Sequence, residues 1–442
     1  MFLFNDTSPV TFQDALPDRV DVVVIGGGVI GVSTAWYLRE KGLSVVVCDK
    51  GRIAGEQSSR NWGWVRVTGR DADEVPIAMD SLRCWKEISD SLDEDVGFTQ
   101  RGILALADTD ADMADFEGWL EVAKQYGVDS RLFSAAEVTS LVEVPQARWQ
   151  GGVVTPSDCR AEPFKAVPAI ARGLQHRGGL VRENCAVRTV DIEAGQVAGV
   201  VTEQGRIRTQ AVVCAAGGWA NMFLSNLDVD FPQLVLRGTV ARTVAAPELY
   251  DGAFGLKDIH LRRRQDGGYT VACGLAEHTI GANSFRYLLK YVPSMISGDD
   301  INAFVGRDAT QQGILRKRWN GDETTPFEKH RVLNPAPSRD ALRKIRHNLG
   351  KRIPQFANIE FEESWAGMID ATPDIVPVMD SIESHPGLFL ASGFSGHGFG
   401  IGPGAGKVMA NLVTGNDPGF DLTRFRFSRF SDGSKMVPGP AL

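Results

Sequence analysis

A glycine-rich turn and one aspartate near the start of the chain have the spacing of a site that binds a dinucleotide. The turn reads Gly26-Gly27-Gly28-Val29-Ile30-Gly31 and fits the pattern Gly-x-Gly-x-x-Gly. Its first glycine allows a tight turn, its second lets a pyrophosphate approach the backbone, and its third lets a helix lie close to a strand. Asp49 follows Gly31 by 18 residues, near the spacing of about 20 at which an acidic side chain binds a ribose. These residues predict a dinucleotide site, and the alternative is an ordinary strand-turn-helix unit that binds nothing.

The segments around this turn must form the strand, helix and strand that position it. Residues 20–25 are an apolar run rich in β-branched residues, as in a buried parallel strand. Residues 32–41 have helical periodicity and are followed by Gly42, a residue type that ends helices. Residues 43–48 are a second apolar strand, and Asp49 comes at its end. The free N–H groups and partial positive charge at the start of the helix favour a phosphate.

Two further glycine-rich turns follow apolar strands later in the chain. Residues 211–215 form a strand that leads into Ala216-Gly217-Gly218-Trp219. Residues 388–391 lead into the glycine-rich run 392–404, and a helix of small residues is expected over 405–414. Open α/β sheets bind ligands at the carboxyl ends of their strands. Three such turns from distant parts of the chain therefore predict one split α/β domain around one long cofactor.

The loop after the second strand carries side chains suited to a cofactor. Its members are, in order, Ser58, Ser59, Arg60, Asn61, Trp62, Gly63 and Trp64. Serine and arginine donors suit a phosphate, and aromatic rings pack well on a flat ring. The alternative is the start of a helix whose two tryptophans lie in the core.

Patterns elsewhere predict a second domain. Residues 231–245 and 260–273 have the pattern of strands in a mixed sheet, and residues 276–352 are mostly helical and polar. We therefore predict an α/β protein, α+β overall, with a Rossmann-like cofactor domain on a parallel sheet and a substrate domain on a mixed or antiparallel sheet with helices. The predicted cofactor domain comprises residues 18–80, 150–225 and 355–420. The predicted substrate domain comprises residues 81–149 and 226–354. Residues 421–442 are predicted to be a C-terminal tail, in which the mildly basic stretch 424–434 is expected to be a surface coil.

Composition and charge exclude several classes of function. The 442 residues carry a net charge of −8, which disfavours a nucleic-acid partner. No stretch approaches the roughly 20 consecutive apolar residues of a transmembrane segment, and residues 1–17 lack the basic start and cleavage site of a secretion signal. The six cysteines are scattered, so they predict buried thiols in a reducing compartment, with no disulfides and no metal site. We expect a cytoplasmic protein.

Together these motifs resemble the D-amino-acid-oxidase-like flavoprotein family, which includes glycine and sarcosine oxidases and dimethylglycine dehydrogenases. The resemblance rests on the first βαβ unit, the loop at 55–64, the turn at 215–219 and the run at 393–400. Residues 52–60 and 326–329 resemble the bacterial L-amino acid deaminases more closely still. The resemblance implies FAD as the cofactor. Family members with covalent flavin use a histidine in the region of the 55–64 loop; this loop has none, so we predict a non-covalent flavin.

The resemblance also assigns roles to individual residues. It places Gly26, Gly28 and Gly31, with Val29 and Ile30, at the pyrophosphate. It places Asp49 with the adjacent Lys50 at the adenosine ribose, and the backbone of Val187 at the adenine. Ser58, Ser59 and Arg60 would lie near the pyrophosphate and flavin, with Asn61, Trp62 and Gly63 beside them. The remaining predicted FAD contacts are Ala215, Gly217 and Trp219 in the second turn and, along the pyrimidine side of the flavin, Gly396, His397, Gly398, Phe399, Gly400 and Ile401.

Two departures from the family concern the substrate. Where sarcosine oxidases carry a lysine that binds the substrate carboxylate, this chain has Gly400. In the deaminases an arginine on a strand of the substrate domain does this, and the matching residue is Arg262, whose guanidinium can donate two parallel hydrogen bonds. The alternative is that Arg262 belongs to a solvated charge run. His397 stands where the deaminases carry a tryptophan; it either shapes the pocket or only hydrogen-bonds its own turn.

The resulting hypothesis is an FAD-dependent oxidoreductase that oxidises the C–N bond of an L-amino acid or N-substituted amino acid to an imine and then a 2-oxo acid. Hydride transfer to flavin N5 needs positioning more than an acid or a base. Arg262 would hold the carboxylate, and Trp62, Trp64, His397 and Phe399 would shape the pocket. A sarcosine-like secondary amine, a D-amino acid, and a flavin-binding subunit of a hetero-oligomer without turnover stay open. So do the electron acceptor, which is oxygen, a quinone or a carrier protein, and a homo-oligomeric state.

Overall fold

A computed structural model describes residues 3–145, 147–296, 301–305 and 318–439. Its strands are, in chain order, β1 (Val22–Ile25), β2 (Val45–Cys48), β3 (Trp64–Val65), β4 (Thr99–Gln100), β5 (Ile103–Ala107), β6 (Arg131–Ser134), β7 (Gly151–Thr155), β8 (Cys159–Arg160), β9 (Leu180–Arg182), β10 (Val187–Glu193), β11 (Gln196–Thr202), β12 (Gly205–Arg208), β13 (Ala211–Cys214), β14 (Leu234–Thr243), β15 (Ala253–Leu256), β16 (Ile259–Arg263), β17 (Tyr269–Thr279), β18 (Ile301–Phe304), β19 (Phe361–Ala371), β20 (Val378–Ser381) and β21 (Leu388–Ser392). Its α-helices are α1 (Val29–Glu40), α2 (Gln57–Arg60), α3 (Val75–Asp90), α4 (Asp110–Tyr126), α5 (Ala135–Leu141), α6 (Pro163–His176), α7 (Ala220–Ser225), α8 (Ala282–Arg286), α9 (Leu288–Ile296), α10 (Pro326–Lys329), α11 (Arg339–Arg352) and α12 (Gly398–Val413).

The predicted parallel sheet is present, in the order β20–β21–β13–β1–β2–β9. Strand β1 pairs in parallel with β2 on one side and with β13 on the other, and only β20 at the edge is antiparallel. Val22 and Val24 face a core that they share with α1, α6 and α12, whereas Val23 and Ile25 face a core shared with β10, β11 and β12. Because both faces are covered, β1 is apolar at every position, as a central parallel strand must be.

Helix α12 begins at Gly398, although the sequence predicted a turn up to residue 404. Pro403 lies inside the helix and has no N–H to donate to the carbonyl of Phe399. Nε1 of Trp85, in α3, lies 3.2 Å from the Phe399 oxygen and 3.0 Å from the Gly400 oxygen, and it supplies the missing donor. The early start of α12 thus depends on a contact between segments that are distant in the chain. The periodicity of the local sequence does not reveal such a contact.

A second, mixed sheet lies beside the first. Its order is β19–β14–β17–β16–β15–β5–β7–β6, and β18 pairs with β17. Neighbouring strands are antiparallel except for the pairs β15–β5 and β17–β18. Helix α11 covers one face, where Ile345 and Leu349 pack on Leu261 and Val271 in a common core.

The structure divides the chain between the two sheets differently from the prediction at two places. Strands β7 and β19 fall in ranges predicted for the cofactor domain, but both belong to the mixed sheet. The range 260–273, predicted as one strand region, contains β16, a turn and the start of β17, and β17 continues to Thr279 in a range predicted to be mostly helical. Membership of a sheet is decided by pairing with distant strands, which the pattern of a single segment does not reveal.

The C-terminal segment packs on the body of the protein instead of forming a surface coil. Phe425 and Phe430 are buried, and the guanidinium of Arg429 lies 2.8 Å from a carboxylate oxygen of Asp374. All six cysteines are buried free thiols, as predicted. Within the part of the chain that the structure describes, no helix has the length and apolar character needed to cross a bilayer.

Candidate active site

The three glycine-rich turns predicted from the sequence meet around one continuous cavity at the carboxyl ends of the parallel strands. The cavity encloses about 2020 Å³ of empty space, part of it open to solvent. One end is formed by the turn between β1 and α1, and the other by the start of α12 together with the strands β14 and β17 of the mixed sheet. Predicted site residues that line it are Gly26, Gly28, Val29, Ile30, Asp49, Lys50, Ser58, Arg60, Asn61, Trp62, Trp64, Val187, Ala215, Gly217, Trp219, Gly396, His397, Gly398 and Phe399.

Close packing fixes the turn at the nucleotide end. Gly26 has φ +103°, and a Cβ at this position would lie 2.4 Å from the carbonyl oxygen of Ala215. A Cβ on Gly31 would lie 1.9 Å from the oxygen of Gly26, so no side chain fits there. Helix α1 has no acidic residue in its first turn and no side-chain cap from Gly28, so its positive end is open to an anion apart from the Val29 amide, which donates to Ser58 Oγ.

Asp49 supports the glycine-rich turn between β1 and α1 through hydrogen bonds. Its Oδ2 accepts a hydrogen bond from the Gly27 amide at 2.7 Å, and its Oδ1 accepts one from the Gly51 amide at 2.7 Å. Desolvation outweighs these bonds and raises the pKa of Asp49 to about 6. A carboxylate at this point of the cavity wall can accept hydrogen bonds from ribose hydroxyls.

A cluster of Lys50, Glu56 and Trp219 joins the nucleotide end to a distant segment. Nζ of Lys50 lies 2.6 Å from a Glu56 oxygen, 4.3 Å from the centre of the Trp219 ring, and within 2.9 Å of the carbonyl oxygens of His330 and Arg331. Glu56 also accepts hydrogen bonds from Nε1 of Trp219. The segment that directly follows α10 is thereby held against the cavity.

Arg60 and Ser58, which both line the cavity, are used partly for structure. Ser58 Oγ accepts a hydrogen bond from the Val29 amide at 2.9 Å. The guanidinium of Arg60 donates to the carbonyl of Ala366 at 2.9 Å and to Oδ1 of Asn334 at 2.7 Å, so it ties the loop to β19. The Ser58 side chain therefore supports the start of α1. The Arg60 side chain holds the cavity wall in place through its hydrogen bonds and itself forms part of that wall.

Aromatic rings and small residues form a chamber at the end of the cavity that lies by the start of α12 and strands β14 and β17. The Trp62 ring stacks on His260 with centres 4.6 Å apart, and Trp64 meets Trp62 edge-on at 5.7 Å. Opposite them, β17 has an irregular register at Gly274, whose φ is +67° and which is exposed within an otherwise buried strand. The remaining lining from β14 and β17 is small or apolar, namely Gly238, Thr239, Val240, Leu275 and Ala276.

Arg262 does not have the position predicted for a carboxylate anchor. Its side chain is 2% exposed, its guanidinium forms a buried ion pair with Glu162 at 2.9 Å, and its Nε donates to the Trp62 carbonyl at 2.5 Å. It is not among the residues that line the cavity. The sequence pattern gave no reason to pair Arg262 with Glu162, since the two lie 100 positions apart. The guanidinium instead holds the backbone of the Trp62 loop.

The contact between Arg262 and the Trp62 loop explains why residue 63 is a glycine. Its φ is +79°, and a Cβ there would lie 2.5 Å from Nε of Arg262. Gly63 and four other predicted FAD contacts, Gly31, Ser59, Gly400 and Ile401, do not line the cavity. They pack directly behind it: a Cβ on Gly400, for example, would lie 3.3 Å from the Trp64 carbonyl oxygen.

Two arginines that the sequence analysis did not select line the chamber. Arg70 is buried, and its Nε and Nη1 have no hydrogen-bond partner among the residues that the structure describes. Arg66 donates one hydrogen bond, from Nη1 to the Thr68 carbonyl at 2.6 Å, and lies 5.9 Å from the centre of the Trp64 ring. Burial lowers the pKa of both guanidinium groups, and the charge of Arg66 lowers that of Arg70 further. A signal was present in the sequence: between Glu56 and Asp71 there is no acidic residue to pair with either arginine.

His397 faces the chamber from the start of α12. Its side chain is 3% exposed and both ring nitrogens lack a hydrogen bond, while its Nδ1 lies 3.3 Å from a carboxylate oxygen of Glu74. Burial, helped by the charge of Arg70, lowers the pKa of His397 to about 4, so the imidazole is neutral near pH 7. The expectation that His397 hydrogen-bonds its own turn is not met by its side chain.

The cavity has the parts that an FAD molecule requires. One end offers a glycine turn without room for side chains, an open helix start and a carboxylate. The other end has aromatic rings, a helix start, and buried nitrogen atoms of Arg70, His397 and Trp64 that have no protein partner. Buried polar atoms are normally hydrogen-bonded, so these atoms indicate a ligand.

Comparisons with proteins of known structure agree on the whole fold. An L-amino acid deaminase from Proteus myxofaciens, solved in complex with anthranilate, is 27% identical with a TM-score of 0.92, and the match covers 97% of each chain. An L-amino acid deaminase from Proteus vulgaris is 28% identical with a TM-score of 0.90, covering 95% of this chain and 99% of that one.

Curated relatives are more distant in sequence. Human mitochondrial sarcosine dehydrogenase is 24% identical over 426 residues, which cover 93% of this chain and 42% of that protein. The chain thus spans less than half the length of this relative. Sarcosine oxidase subunit beta from an Arthrobacter species is 23% identical and matches over 93% of this chain and 91% of its own length. The family described as FAD dependent oxidoreductase (DAO) matches residues 21–412. The chain belongs to this family of FAD-dependent oxidoreductases.

Proposed function

We propose that this protein oxidises the Cα–N bond of an amino acid, with FAD bound along the cavity and the substrate in the chamber at its far end. The observation that carries the proposal is the Arg70 guanidinium, with donors that lack a hydrogen-bond partner among the described residues, beside Arg66 and aromatic rings in the same cavity as the dinucleotide turn. Bound FAD supplies a flavin ring that accepts a hydride. The imine product hydrolyses in water to a 2-oxo acid.

Arg70 and Arg66 are the proposed anchors of the substrate carboxylate, in place of Arg262. The Nε and Nη1 donors of Arg70 have no hydrogen-bond partner among the described residues, and a substrate carboxylate could accept a charge-assisted hydrogen bond from this guanidinium. Arg66 adds a second positive charge on the same wall. Buried donors without a hydrogen-bond partner are unfavourable, so a carboxylate that accepts a hydrogen bond from them is stabilised.

The two imidazoles of the chamber are uncharged when the substrate amine binds. The pKa of His397 and the pKa of His260 are both lowered to about 4 by burial, so neither ring is charged near pH 7. A chamber with positive guanidinium groups and neutral imidazoles favours the neutral amine over the ammonium form. Loss of a hydride from Cα requires this neutral amine, whose lone pair stabilises the developing positive charge.

The shape of the chamber favours an apolar side chain on the substrate. Gly274 lines the chamber without a side chain, and Val240, Leu275 and the Trp62 ring also line it and supply apolar surface. An aliphatic or aromatic side chain would bury its surface there at roughly 25 cal/mol per Å². The overall similarity to two L-amino acid deaminases supports an L-amino acid.

An N-methyl amino acid is the second candidate substrate. Relatives with that chemistry in their names include sarcosine oxidase subunit beta from Rhizobium meliloti and a 4-methylaminobutanoate oxidase from Paenarthrobacter nicotinovorans, at 25% and 26% identity. The same carboxylate anchor would serve L-amino acids and N-methyl amino acids, because substrates of both kinds carry a carboxylate. The carboxylate lies next to the reacting carbon or farther along the substrate.

An anaerobic substrate screen tests the proposal. Purified protein loaded with FAD is mixed with a panel of L-amino acids, D-amino acids and N-methyl amino acids, and the flavin absorbance band is followed. We expect bleaching by apolar L-amino acids. Retention of the band with every member of the panel, while dithionite still bleaches it, would show that the chain is a flavin-binding subunit without this activity.

The proposal includes a flavin that is not covalently attached, since residues 55–64 contain no histidine. Acid precipitation of the yellow protein should leave all of the flavin in the supernatant. Yellow colour that stays in the washed precipitate would contradict this expectation.

A further inference from the structure

Two helices begin side by side behind the chamber. Glu74 is the residue that precedes α3, and His397 is the residue that precedes α12. Contacts between the helices fix this arrangement: Oγ of Ser81 donates to the Gly400 carbonyl at 2.8 Å and accepts from the Gly404 amide at 3.1 Å. The distance between Glu74 and His397 is therefore set by packing along both helices.

The carboxylate of Glu74 is an isolated buried charge. Its side chain is 1% exposed, and neither oxygen has a hydrogen-bond partner within the described residues apart from the Nδ1 of His397 at 3.3 Å. Burial alone would raise the pKa of Glu74, but His397, Arg70 and Arg66 outweigh it and hold the pKa below its usual value. Glu74 is therefore ionised near neutral pH, with one negative charge behind the chamber wall.

This charge determines which nitrogen of His397 carries the proton. The imidazole is neutral, and the nitrogen that faces a carboxylate must be the donor. The Nδ1 proton is then directed at Glu74, and Nε2 becomes an acceptor. His397 lines the cavity, and its buried Nε2 has no hydrogen-bond partner among the described residues, so an N–H group of the ligand that reached it would meet an acceptor.

We propose that Glu74 is a positioning residue that orients His397 as an acceptor and lowers the reduction midpoint potential of bound FAD. The inference rests on the flavin ring lying at the His397 end of the cavity, but it does not depend on the proposed substrate. Reduction adds negative charge to the ring, and a nearby buried carboxylate disfavours it because screening is weak in the interior. The positive charge of Arg70, which interacts with the same carboxylate, opposes this effect.

Charge variants of the FAD-loaded protein test the inference. The midpoint potential is measured by reduction with dithionite against a reference dye, so no amino acid is needed. Glu74→Gln should raise the potential, Arg70→Gln should lower it, and the double variant should lie near the wild-type value. Glu74→Asp keeps the charge and should shift the potential much less than Glu74→Gln. Asp340→Asn, at a residue with a 70% exposed side chain, is a control with no expected shift.

An unchanged potential in Glu74→Gln would overturn the inference, as would equal shifts in Glu74→Gln and Glu74→Asp, which would indicate a purely structural role. If Glu74→Gln does not retain FAD, the midpoint potential of the Arg70→Gln variant serves as the test. A potential in Arg70→Gln that is not below the wild-type value would then contradict the inference. Failure of every amino acid to reduce the flavin would refute the proposed substrate and leave these measurements unaffected.

Discussion

Replacement of Arg70 by methionine removes the proposed substrate anchor while it keeps much of the volume of the side chain. Arg70 is 6% exposed and offers two free donors to a carboxylate. Hydrogen bonds to charged groups contribute about 1.5–3 kcal/mol each, and truncation of one partner of a buried charge pair costs about 2–5 kcal/mol. Arg66 remains on the same wall and retains part of the attraction. We therefore expect a loss of about 3–4 kcal/mol in transition-state binding.

At about 1.4 kcal/mol per factor of ten, this loss corresponds to a decrease of roughly 100- to 1000-fold in kcat/KM for an amino acid. The assay is anaerobic reduction of the flavin at a series of substrate concentrations. Arg343→Met, at a residue whose side chain is 77% exposed on α11, is the matched control and should behave like the wild type. Arg70→Lys should recover only part of the loss, since an ammonium group lacks the planar fork of donors.

The FAD content of each variant must be measured in parallel. A decrease of less than threefold in kcat/KM for Arg70→Met, at unchanged FAD content, would refute the assignment of the anchor. A loss of FAD together with activity would instead place Arg70 in the cofactor site.

Three further predictions follow from the same structure. Arg262→Met should lower the free energy of unfolding by about 3–5 kcal/mol, since it leaves the buried Glu162 carboxylate without its charged partner, and Arg262→Met/Glu162→Met should recover much of it in a denaturant titration. Asp49→Asn should weaken FAD binding at pH 7 by roughly 10- to 100-fold in an equilibrium titration, through loss of charged hydrogen bonds to the ribose. Because the pKa of Asp49 is raised to about 6, the wild-type affinity for FAD should fall as the pH decreases through 6, whereas the Asn variant should show no such step. Gly31→Ala should give a colourless protein, since its Cβ would lie 1.9 Å from the Gly26 oxygen, and a yellow variant with normal FAD content would count against the described turn.

The parallel sheet and the nucleotide end of the cavity could be predicted because their signals are local. The apolar residues of β1, the glycine spacing and the position of Asp49 all lie within one βαβ unit, and each reflects a constraint inside that unit. The glycine runs after β13 and β21 could be assigned to the same site because turns at the carboxyl ends of neighbouring parallel strands must meet.

The chamber could be predicted only in part because its geometry depends on long-range pairs. Trp62, Trp64 and His397 were selected from unusual residue types in glycine-rich loops, and they do line the cavity. Arg262 was selected by resemblance, but its partner Glu162 comes from the start of α6, and only the folded chain brings the two together. The lack of acidic residues between Glu56 and Asp71 was the available indication of an anion site at Arg66 and Arg70.

The division of the chain between the two sheets shows the same limit. The sequences of β7 and β19 are compatible with either sheet, and their pairing with β5 and β14 decides the matter. The start of α12 at Gly398 depends on Trp85 of α3, which replaces the donor that Pro403 lacks. Such features become visible only when the partners of each polar group are known.

One comparison of two ligands tests most directly whether the cavity oxidises an amino acid held by its carboxylate. FAD-loaded protein is mixed, without oxygen, with an apolar L-amino acid and separately with its carboxamide, which has the same side chain and amine but no negative charge. We expect rapid bleaching of the flavin by the amino acid and bleaching at least 100-fold slower by the carboxamide, in line with the loss estimated for the Arg70 anchor. Equal rates with the two ligands would contradict a carboxylate site at Arg66 and Arg70.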